Sequence, residues 1–344
     1  MTGDTLSDVL RTVRLRGAVF YFVSGSEAWA AHAPPARDIA EAVFPGAEHV
    51  MEYHVVTKGS AWAAIDGQAP VRLDEGDIVV FPHGDEHVMT SAPGLRPEPS
   101  DAGWYFATRR DPKPMPVTYH GVDSFSVEEP PGDAPNNLVC GFFGCDVRPF
   151  NPLIANLPHL LHVPAGGDSL ETAMLRQAMQ AWRERRPGSE AMLERISEMM
   201  FVNAVRRYLE SLPEESLGWL AGLRDRHVGR ALSALHAEPA RDWSMELLAR
   251  EAALSRSALH DRFAQLVGQP PMQYLTQWRM QVAARLLRDC QSTVAAVALE
   301  VGYESEAAFA RAFKRQTGKP PAAWRRESRA AADRNARGAD GGAG

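Results

Sequence analysis

Apolar and polar positions follow two different periods along the chain, and the period changes between its two halves. From about Gly17 to Cys145, short apolar runs such as Ile78 to Phe81 alternate with turn residues. Short strands at this regular spacing are typical of a β-sandwich or a β-barrel. After residue 150, apolar residues recur three and four positions apart, which predicts amphipathic helices. We therefore expect a multidomain α+β protein with a β-rich N-terminal part and an all-α C-terminal part.

One helical pattern occurs twice near the C-terminus, with a constant offset of 50 residues. Each copy has two large apolar residues at i and i+4, a glycine five positions later, and two prolines beyond it. The copies are Leu259-x-x-x-Phe263-x-x-x-x-Gly268-x-Pro270-Pro271 and Phe309-x-x-x-Phe313-x-x-x-x-Gly318-x-Pro320-Pro321. A serine that can cap the helix opens each copy, and the glycine can end it. A short apolar helix precedes each copy, so each unit is predicted to be a helix-turn-helix.

The segment between the copies, Met272 to Asp289, contains no Gly or Pro and carries apolar residues at helical spacing. It is predicted to be one continuous helix of roughly 18 residues, which spans about 27 Å. A rigid spacer of this length can hold two recognition helices near one turn of a DNA duplex apart, about 34 Å. The repeat therefore predicts binding to double-stranded DNA rather than a purely structural helical repeat, which usually needs three or more copies.

Residues 225–329 resemble the DNA-binding domain of the AraC/XylS transcription regulators. The resemblance is carried by Trp243-Ser-Met-Glu-Leu-Leu-Ala249, Leu254-Ser-Arg-Ser-Ala-Leu259, Tyr274-Leu-Thr-Gln-Trp-Arg-Met280, Val301-Gly-Tyr-Glu-Ser305 and Ala308-Phe-Ala-Arg-Ala-Phe-Lys-Arg315. It implies a seven-helix domain, sequence-specific binding to promoter DNA, a homodimer, and contact with RNA polymerase. Activation of nearby genes is the commoner outcome in this family, and repression is the other.

The helical wheel and this resemblance together predict which side chains meet DNA. Arg311 can form a bidentate contact with guanine, and Ala307 or Ala308 can touch a thymine methyl group. Arg256, Lys314, Arg315 and Lys319 are better placed for phosphate. A solvated helix face is the alternative for any single residue. The predicted DNA-binding residues are Arg256, Ser257, His260, Asp261, Glu306, Ala307, Ala308, Arg311, Lys314 and Arg315.

The charge is distributed unevenly, which supports this location of the DNA contact. The chain of 344 residues has a net charge of −6, but residues 225–329 carry +5 and residues 1–224 carry −11. A DNA-binding surface is usually basic, so the positive domain is the expected site. The excess is modest, and it supports the repeat without replacing it.

The N-terminal part contains a second motif. Gly76-x5-Pro82-x-Gly84-x2-His87 matches the second motif of the cupin family without a gap, and Tyr53-His54-Val-Val-x-x-Gly59 resembles a degenerate first motif. Cupins are double-stranded β-helix barrels, and many AraC-type regulators carry one as the part that senses a small-molecule effector. The resemblance therefore implies a cupin-like effector domain.

The histidines near these motifs raise the question of a metal. Glu52 and His54 lie two apart on a predicted strand, so both can point into the barrel with His87. This trio is chemically suitable for Zn, Fe or Mn, while His83 lies near it and joins the predicted effector-binding group Glu52, His54, His83 and His87. The alternatives are a polar lining of an effector pocket, or histidines satisfied by the backbone. The cofactor therefore stays unknown, and we expect no enzyme activity, with a metal-dependent cupin enzyme as the competing hypothesis.

Cys140 and Cys145 suggest a third possibility, a redox-responsive regulator. They lie five residues apart on a predicted strand and point to opposite faces, which disfavours a direct disulfide. Inert packing residues are the simpler interpretation. With few cysteines, no secretion signal and no apolar run long enough for a membrane span, the expected location is the cytoplasm, with no membrane contact.

Two apolar helical patterns, from Leu170 to Trp182 and from Ala191 to Leu209, follow the barrel. They are predicted to form a helical hairpin that serves as a dimerisation segment, with plain core packing as the alternative. The predicted domains are 1–150 for the cupin-like domain, 151–212 for the helical segment, 213–224 for a linker, 225–329 for the double helix-turn-helix and 330–344 for a disordered tail.

Overall fold

The structure is a computed structural model that describes residues 4–26, 28–122, 124–129, 133–165, 170–289 and 291–329. Residues 321–329 are also helical. The named helices are α1 Thr5–Thr12, α2 Ala36–Val43, α3 Ala102–Ala107, α4 Leu170–Arg183, α5 Ser189–Ser211, α6 Trp219–Arg224, α7 Val228–Ala237, α8 Met245–Glu251, α9 Arg256–Val267, α10 Pro271–Asp289, α11 Val294–Glu300 and α12 Glu306–Thr317. The strands are β1 Arg16–Gly25, β2 Ala30–Ala33, β3 His49–Lys58, β4 Ser60–Ala64, β5 Val71–Asp74, β6 Ile78–Phe81, β7 His87–Thr90, β8 Met115–Tyr119, β9 Phe125–Ser126, β10 Asn136–Cys145 and β11 Leu161–Val163.

The chain divides into two compact units. Of the described residues, those within 15–145 and 157–210 form the β unit, and those within 4–14, 146–156 and 211–329 form the helical unit. The predicted division into a β-rich N-terminal part and a helical C-terminal part is confirmed. The exact domain boundaries stay a prediction. Residues 4–14 and 146–156 pack within the helical unit, although they precede the last part of the β unit in the chain.

The β unit consists of two sheets with a shared core. One sheet has the strand order β11-β6-β3-β10-β1-β8-β9, and the other has the order β2-β7-β4-β5. All neighbouring strands are antiparallel except β1 and β8, which are parallel. Buried side chains of both sheets form one cluster, with Val56 and Phe142 from the first sheet and Ala61 and Met89 from the second. Side chains that alternate along each strand fill the space between the sheets, which is how two stacked sheets exclude water.

Helices α4 and α5 belong to the β unit. The predicted patterns, 170–182 and 191–209, correspond to Leu170–Arg183 and Ser189–Ser211. Helix α5 packs Leu193, Ile196 and Met200 inward, and the Ser197 hydroxyl lies 2.8 Å from the Tyr53 hydroxyl. Two large apolar side chains of α5, Met192 and Met199, are exposed instead.

The helical unit contains the two predicted helix-turn-helix units, formed by α8 with α9 and by α11 with α12. Ser255 and Ser305 cap α9 and α12, because each hydroxyl accepts a hydrogen bond from the backbone N–H three residues later. Gly268 and Gly318 end these helices with φ of 81° and 77°, a left-handed conformation that glycine adopts without steric cost. Seven helical segments, α7 to α12 and 321–329, lie among the described residues of 225–329.

The predicted linker, 213–224, is only partly irregular. Its last part, Trp219–Arg224, forms α6, which sequence analysis did not predict. Trp219 and Leu220 are buried, and the Trp219 indole N–H donates a hydrogen bond to the Tyr274 hydroxyl of α10 at 2.8 Å. This short helix forms because its apolar residues complete the core around α7 and α9. Pro213, Glu214 and Glu215 are the residues that predict a linker, and they lie outside α6.

The tail 330–344, predicted to be disordered, lies outside the described residues. Among the helices that the structure describes, none combines the length and the apolarity that a bilayer crossing requires.

Candidate nucleic-acid interface and barrel cavity

The helices α9 and α12 each bury one face and expose the opposite one. Leu259 and Phe263 of α9 and Phe309 and Phe313 of α12 are completely buried. The spacing of four residues puts each pair on one side of its helix. The predicted DNA-binding residues therefore lie on the other side of each helix. Ala308 is half-buried. The exposed ones are Arg256, Ser257, His260, Asp261, Glu306, Ala307, Arg311, Lys314 and Arg315.

The two exposed faces differ in how much of their positive charge is already paired. Arg256 of α9 forms an ion pair with Glu246 of α8, and Arg262 of α9 forms one with Asp225 at 2.5 Å. Arg311 of α12 has no ion-pair partner among the described residues, and the same holds for its neighbours Lys314 and Arg315. The second face therefore offers more uncompensated positive charge to an anionic partner.

Helix α10 joins the two helix-turn-helix units as one continuous rod of 19 residues. Tyr274 and Trp278 anchor its first half, since both rings are buried and the Trp278 ring stacks on the His236 ring at a centroid distance of 3.9 Å. Leu286 and Leu287 anchor its second half in the core of the other unit. Both recognition helices are thus fixed on the same rigid element.

The β unit encloses a separate feature, a cavity of about 310 Å³. Three adjacent strands each give it a pair of side chains two residues apart, because alternate residues of a strand face the same side. The pairs are Tyr21 and Val23 from β1, Leu138 and Cys140 from β10, and Glu52 and His54 from β3. Tyr21, Cys140 and His54 lie in one row across the sheet, since Cys140 is registered opposite both of the others.

A chain of hydrogen bonds links the buried residues Cys140, His54 and His87. The Cys140 Sγ lies 2.9 Å from His54 Nδ1, the two histidine Nε2 atoms are 2.8 Å apart, and His87 Nδ1 lies 2.8 Å from the Asp85 carbonyl oxygen. Burial lowers the pKa of His54 well below its usual value and that of His87 to about 4, so both rings are neutral. Burial likewise raises the pKa of Cys140, which keeps its proton.

Only one arrangement of protons satisfies this chain. His87 Nδ1 must donate to the Asp85 carbonyl, so His87 Nε2 is an acceptor. His54 Nε2 therefore donates to it, and His54 Nδ1 accepts from the Cys140 thiol. The two histidines can therefore satisfy each other without a metal. The alternative of histidines satisfied by the backbone holds in part, because only His87 bonds to a backbone carbonyl.

Glu52 is the member of this group that lacks a partner. Its side chain is buried, its Oε1 is 3.8 Å from His54 Nε2, and its Oε2 has no hydrogen-bond partner among the described residues. Burial raises the pKa of Glu52 to about 8. A buried carboxyl group without partners is costly, which makes Glu52 a candidate contact for a ligand in the cavity.

The predicted metal trio also comes together in space. One potential ligand atom from each of Glu52, His54 and His87 lies within 4.8 Å of the others. One carboxylate and two imidazoles suit Zn, Fe or Mn. To bind through His54 Nε2, the ring would have to transfer its proton to Nδ1 and give up the bond to His87. The donor set therefore fits a metal after a local rearrangement of protons.

His83, the fourth residue of the predicted effector-binding group, lies apart from the other three. Its Nε2 is 2.9 Å from the Leu157 carbonyl oxygen, and its ring lies 4.5 Å from that of His159. It does not line the cavity, although Glu52 and His54 do. The proline and glycine beside it turn the chain at the end of β6, which directs the side chain away from the core.

Sequence analysis missed the aromatic wall of the cavity. Trp29, Trp104, Tyr105, Tyr119 and Phe125 line it, and they come from loops, from α3 and from the strands β8 and β9. Tyr21 also lines the cavity, and it lies two residues before Val23 on β1, so both face the same side of the strand. The others are far apart in the sequence, and no local pattern links them.

The two cysteines of β10 are both buried, and neither forms a disulfide within the part of the chain that the structure describes. Five residues of extended strand separate them by about 16 Å, which is too far for a disulfide. Burial raises the pKa of Cys140, which also opposes reactivity at this thiol, because the thiolate is the reactive form. The predicted preference for inert packing residues is consistent with this geometry, with the addition that Cys140 bonds to His54.

Comparison with known proteins agrees with both parts of this description. Residues 4–210 match the family model described as Cupin, and residues 248–327 match one described as Helix-turn-helix domain. An AraC-like transcription regulator of Streptomyces lividans is 34% identical over 326 residues, which cover 94% of this chain and 98% of that protein. The RCS-specific HTH-type transcriptional activator RclR of Escherichia coli K12 is 30% identical over 180 residues, covering 51% of this chain and 63% of that one.

Among solved structures, the DNA-binding domain of AdpA in complex with a target DNA is similar to the C-terminal part. The identity is 32%, the match covers 31% of this chain and 96% of that chain, and the TM-score is 0.30. The cupin match alone spans more than half of the chain, and the Streptomyces lividans relative is matched over nearly its full length. The chain therefore belongs to the AraC-type transcription regulators, which join an N-terminal cupin domain to a C-terminal helix-turn-helix domain.

Proposed function

We propose that this regulator places α9 and α12 in successive major grooves of one promoter duplex and that a small molecule in the barrel cavity controls this binding. The observation that carries the proposal is the pair of exposed faces on two helices that one continuous helix, α10, joins. At 1.5 Å per residue, its 19 residues span about 28 Å. This length approaches the pitch of B-form DNA, about 34 Å.

The exposed residues divide by role. Arg311 is the candidate for direct base recognition, through a bidentate contact with guanine, and Ala307 or Ala308 for contact with a thymine methyl group. Lys314 and Arg315 lie one turn further along α12 and are assigned to phosphate. On α9, Ser257, His260 and Asp261 face outward beside Arg256, whose pairing with Glu246 must open for it to reach phosphate.

The test is binding to the DNA upstream of the protein's own gene, at two salt concentrations, for the wild type and for Arg311→Ala. We expect selective, salt-sensitive binding, because released counterions supply much of the affinity. Arg311→Ala should weaken it by about tenfold or more, the loss expected for one good base contact.

The matched control is Arg110→Ala. Arg110 is an exposed arginine of the β unit, so its removal changes the net charge equally without touching either recognition helix. Equal losses for both variants, or no difference between specific and unrelated DNA, would contradict the assignment of α12 as a recognition helix.

A direct chain connection supports control by the cavity. Strand β10 lines the cavity with Leu138 and Cys140 and continues into residues 146–156, which pack within the helical unit. There the Phe150 N–H donates to Gln281 Oε1 of α10 at 2.9 Å, and the Phe150 ring packs edge-on against Tyr274 at 5.4 Å. A shift of β10 would therefore act on the helix that positions both recognition helices.

The coupling is tested by Gln281→Leu, with Gln273→Leu, an exposed position on the same helix, as control. We expect Gln281→Leu to reduce the change in DNA affinity that a cavity ligand causes while ligand binding itself persists. An unchanged response in Gln281→Leu would remove this route from the proposal.

We also propose a homodimer through α5. Met192 and Met199 are seven residues apart, so they share one face of the helix, and their exposed fractions are 42% and 41%. Large apolar side chains at this spacing are typical of a helix that packs against a second helix. Met199→Glu should shift the protein toward a monomer in sedimentation equilibrium, and a wild type that is monomeric at micromolar concentration would refute the dimer.

Activation through contact with RNA polymerase is the proposed outcome at the promoter. The name of the Escherichia coli relative, a transcriptional activator, supports it. In vitro transcription from a bound promoter should rise on addition of the protein. A fall would mean repression instead.

The second candidate function is a metal-dependent cupin, favoured by the convergence of Glu52, His54 and His87. We propose the sensing role ahead of turnover, because the two histidines already satisfy each other. Metal analysis of protein purified without a polyhistidine tag decides between them. Stoichiometric Fe, Mn or Zn that His87→Ala removes would favour the metal, and turnover of a substrate by that form would establish an enzyme.

A further inference from the structure

The lining of the cavity has an uneven charge. It includes the carboxyl groups of Glu52 and Asp101, and no lysine or arginine is among the described residues that line it. Its two histidines already have partners: His54 is hydrogen-bonded to Cys140 and His87, and His32 lies 2.6 Å from Glu86. Nothing in this lining would compensate an anionic ligand, and two groups could compensate a cation.

The aromatic side chains surround the same space. The Trp104 and Phe125 rings are 5.8 Å apart, the Phe125 and Tyr119 rings 5.5 Å, and the Trp104 and Tyr105 rings 5.2 Å. Two of these contacts are edge-to-face and one is tilted, so the four rings have different orientations and do not form one stack. We call these four rings the aromatic box. A box of electron-rich ring faces attracts an organic cation, and the attraction is strongest where water is excluded.

Glu52 stands beside this box. Glu52 lines the same cavity as Tyr21 and Tyr105. Its Oε2 is buried and unpartnered among the described residues, as is the Nε1 of Trp29, another lining residue. Burial alone disfavours the charged form of this carboxyl group, and a cationic partner would stabilise that form and offset the cost of holding it away from water.

The volume limits the size of the ligand. A cavity of roughly 150 Å³ holds benzene, which has six carbon atoms. At about 310 Å³, this cavity is about twice as large and suits about a dozen non-hydrogen atoms. Val23, Val117 and Leu138 provide an apolar surface for most of them.

We propose that the effector is a small organic cation, a protonated amine on an apolar body of about a dozen non-hydrogen atoms, with its ammonium group between the Glu52 carboxylate and the aromatic box. This inference rests on the proposed effector role of the cavity. The apolar body lies against the valines and leucine, and the ammonium group donates to Glu52 Oε2. Asp101, an exposed residue of the lining, adds a second negative charge toward solvent.

The test uses three ligands with the same ring and chain and different head groups: 4-phenylbutylamine, 4-phenylbutan-1-ol and 4-phenylbutyrate. Binding to the full chain, treated with EDTA so that no metal occupies Glu52, is measured by calorimetry. We expect the amine to bind at least tenfold more tightly than the alcohol, and the carboxylate to bind most weakly. An alcohol or a carboxylate that binds as tightly as the amine, or no binding of the amine, would overturn the proposal.

Variants of Glu52 assign the selectivity to this residue. Glu52→Gln keeps the shape and removes the charge, so the preference for amine over alcohol should fall by about tenfold while the alcohol affinity changes little. Glu194→Gln, an exposed residue of α5, is the matched control and should leave both affinities unchanged. A preference for the amine that survives in Glu52→Gln would overturn the assignment. Trp104→Leu should weaken the amine more than the alcohol, because only the cation uses the ring face.

DNA binding separates this inference from the function on which it rests. If the amine binds through Glu52 and changes the affinity for the selected DNA, both stand. If the amine binds through Glu52 and the DNA affinity does not change, the cation site stands and the effector role fails. If DNA affinity responds to the alcohol or the carboxylate instead, the effector role stands and the cation is wrong.

Discussion

The two helix-turn-helix units have similar buried frameworks and different exposed residues. The offset of 50 residues pairs Phe263 with Phe313, and both are completely buried. The same offset pairs Asp261 with Arg311, both exposed, and so replaces a negative charge with a positive one. The buried and turn positions therefore define the shape of the unit, while the exposed positions are free to determine what each unit recognises.

The interiors differ as well. In the first unit, the buried His236 lies 2.7 Å from the Tyr274 hydroxyl, which also accepts a hydrogen bond from Trp219. The offset places Leu286 and Trp324 at the equivalent positions of the second unit. The first unit thus contains a buried polar network where the second has apolar contacts only at these positions. The network is only partly satisfied, because His236 Nδ1 is buried without a hydrogen-bond partner among the described residues.

The largest expected effect tests whether the two cores are equivalent. Phe263→Ala and Phe313→Ala should each reduce the free energy of unfolding of the helical unit by about 3–5 kcal/mol, since each removes a fully buried ring. Chemical denaturation of the full chain measures both. A large loss for one variant and a small loss for the other would show that only one unit has a well-packed core.

The next effect concerns the opposite charges on the surface. Arg311→Ala should weaken binding to the selected DNA by about tenfold to a hundredfold. Asp261→Ala should leave the affinity unchanged or raise it, because it removes a negative charge that faces the phosphates. Electrophoretic mobility shift at a fixed salt concentration compares them. A larger loss for Asp261→Ala would assign base recognition to α9 instead.

The polar network predicts an acid sensitivity of the first unit. Burial lowers the pKa of His236 to about 3. Its stabilising contribution is therefore complete above the unfolded value, about 6.5, and is lost as the pH falls toward 3. Between pH 7 and pH 5 the loss should be about 2 kcal/mol.

The matched variant is His236→Leu, which gives the first unit the residue found in the second. Its free energy of unfolding should fall less between pH 7 and pH 5 than that of the wild type. His54 and His87 of the β unit are unchanged in both proteins, so the difference reports His236. Parallel curves for both proteins would contradict the assignment.

The smallest expected effect returns to a shared feature. Gly268→Ala and Gly318→Ala should each cost about 1 kcal/mol of stability, because alanine is strained at the positive φ of both positions. Open space around each Cα atom means that no steric clash adds to this cost. Thermal unfolding detects the loss. Unequal costs would show that the two helix ends are less alike than their backbone angles.

The helical unit was largely predictable from sequence because its information is local. The ends of α9 and α12 are fixed by Ser255, Gly268, Ser305 and Gly318 through hydrogen bonds to residues at most four positions away. The repeat is visible in the sequence without any structure. Helix α6 was missed, since Trp219 is buried through contacts with Tyr274, 55 residues away. The contribution of residues 146–156 to this unit also depends on contacts that are distant in sequence.

The cavity was predictable only in part. Glu52 and His54 share a strand, and a known motif pointed to His87, so these three were found together. The aromatic wall was not, because Trp29, Trp104 and Phe125 meet only when two sheets and α3 pack. Nor did the sequence indicate that Cys140 and His54 would be hydrogen-bonded, since this depends on the register of β10 against β3.

The central claim, that both units of one chain read one duplex, is tested most directly by methylation-protection footprinting on DNA selected from a random pool. The wild type should protect two major-groove segments centred about 10 base pairs apart, one helical turn. Arg311→Ala should lose protection in one segment, and His260→Ala together with Arg256→Ala should lose it in the other. A single protected segment in the wild type, or both segments lost together in every variant, would contradict the account.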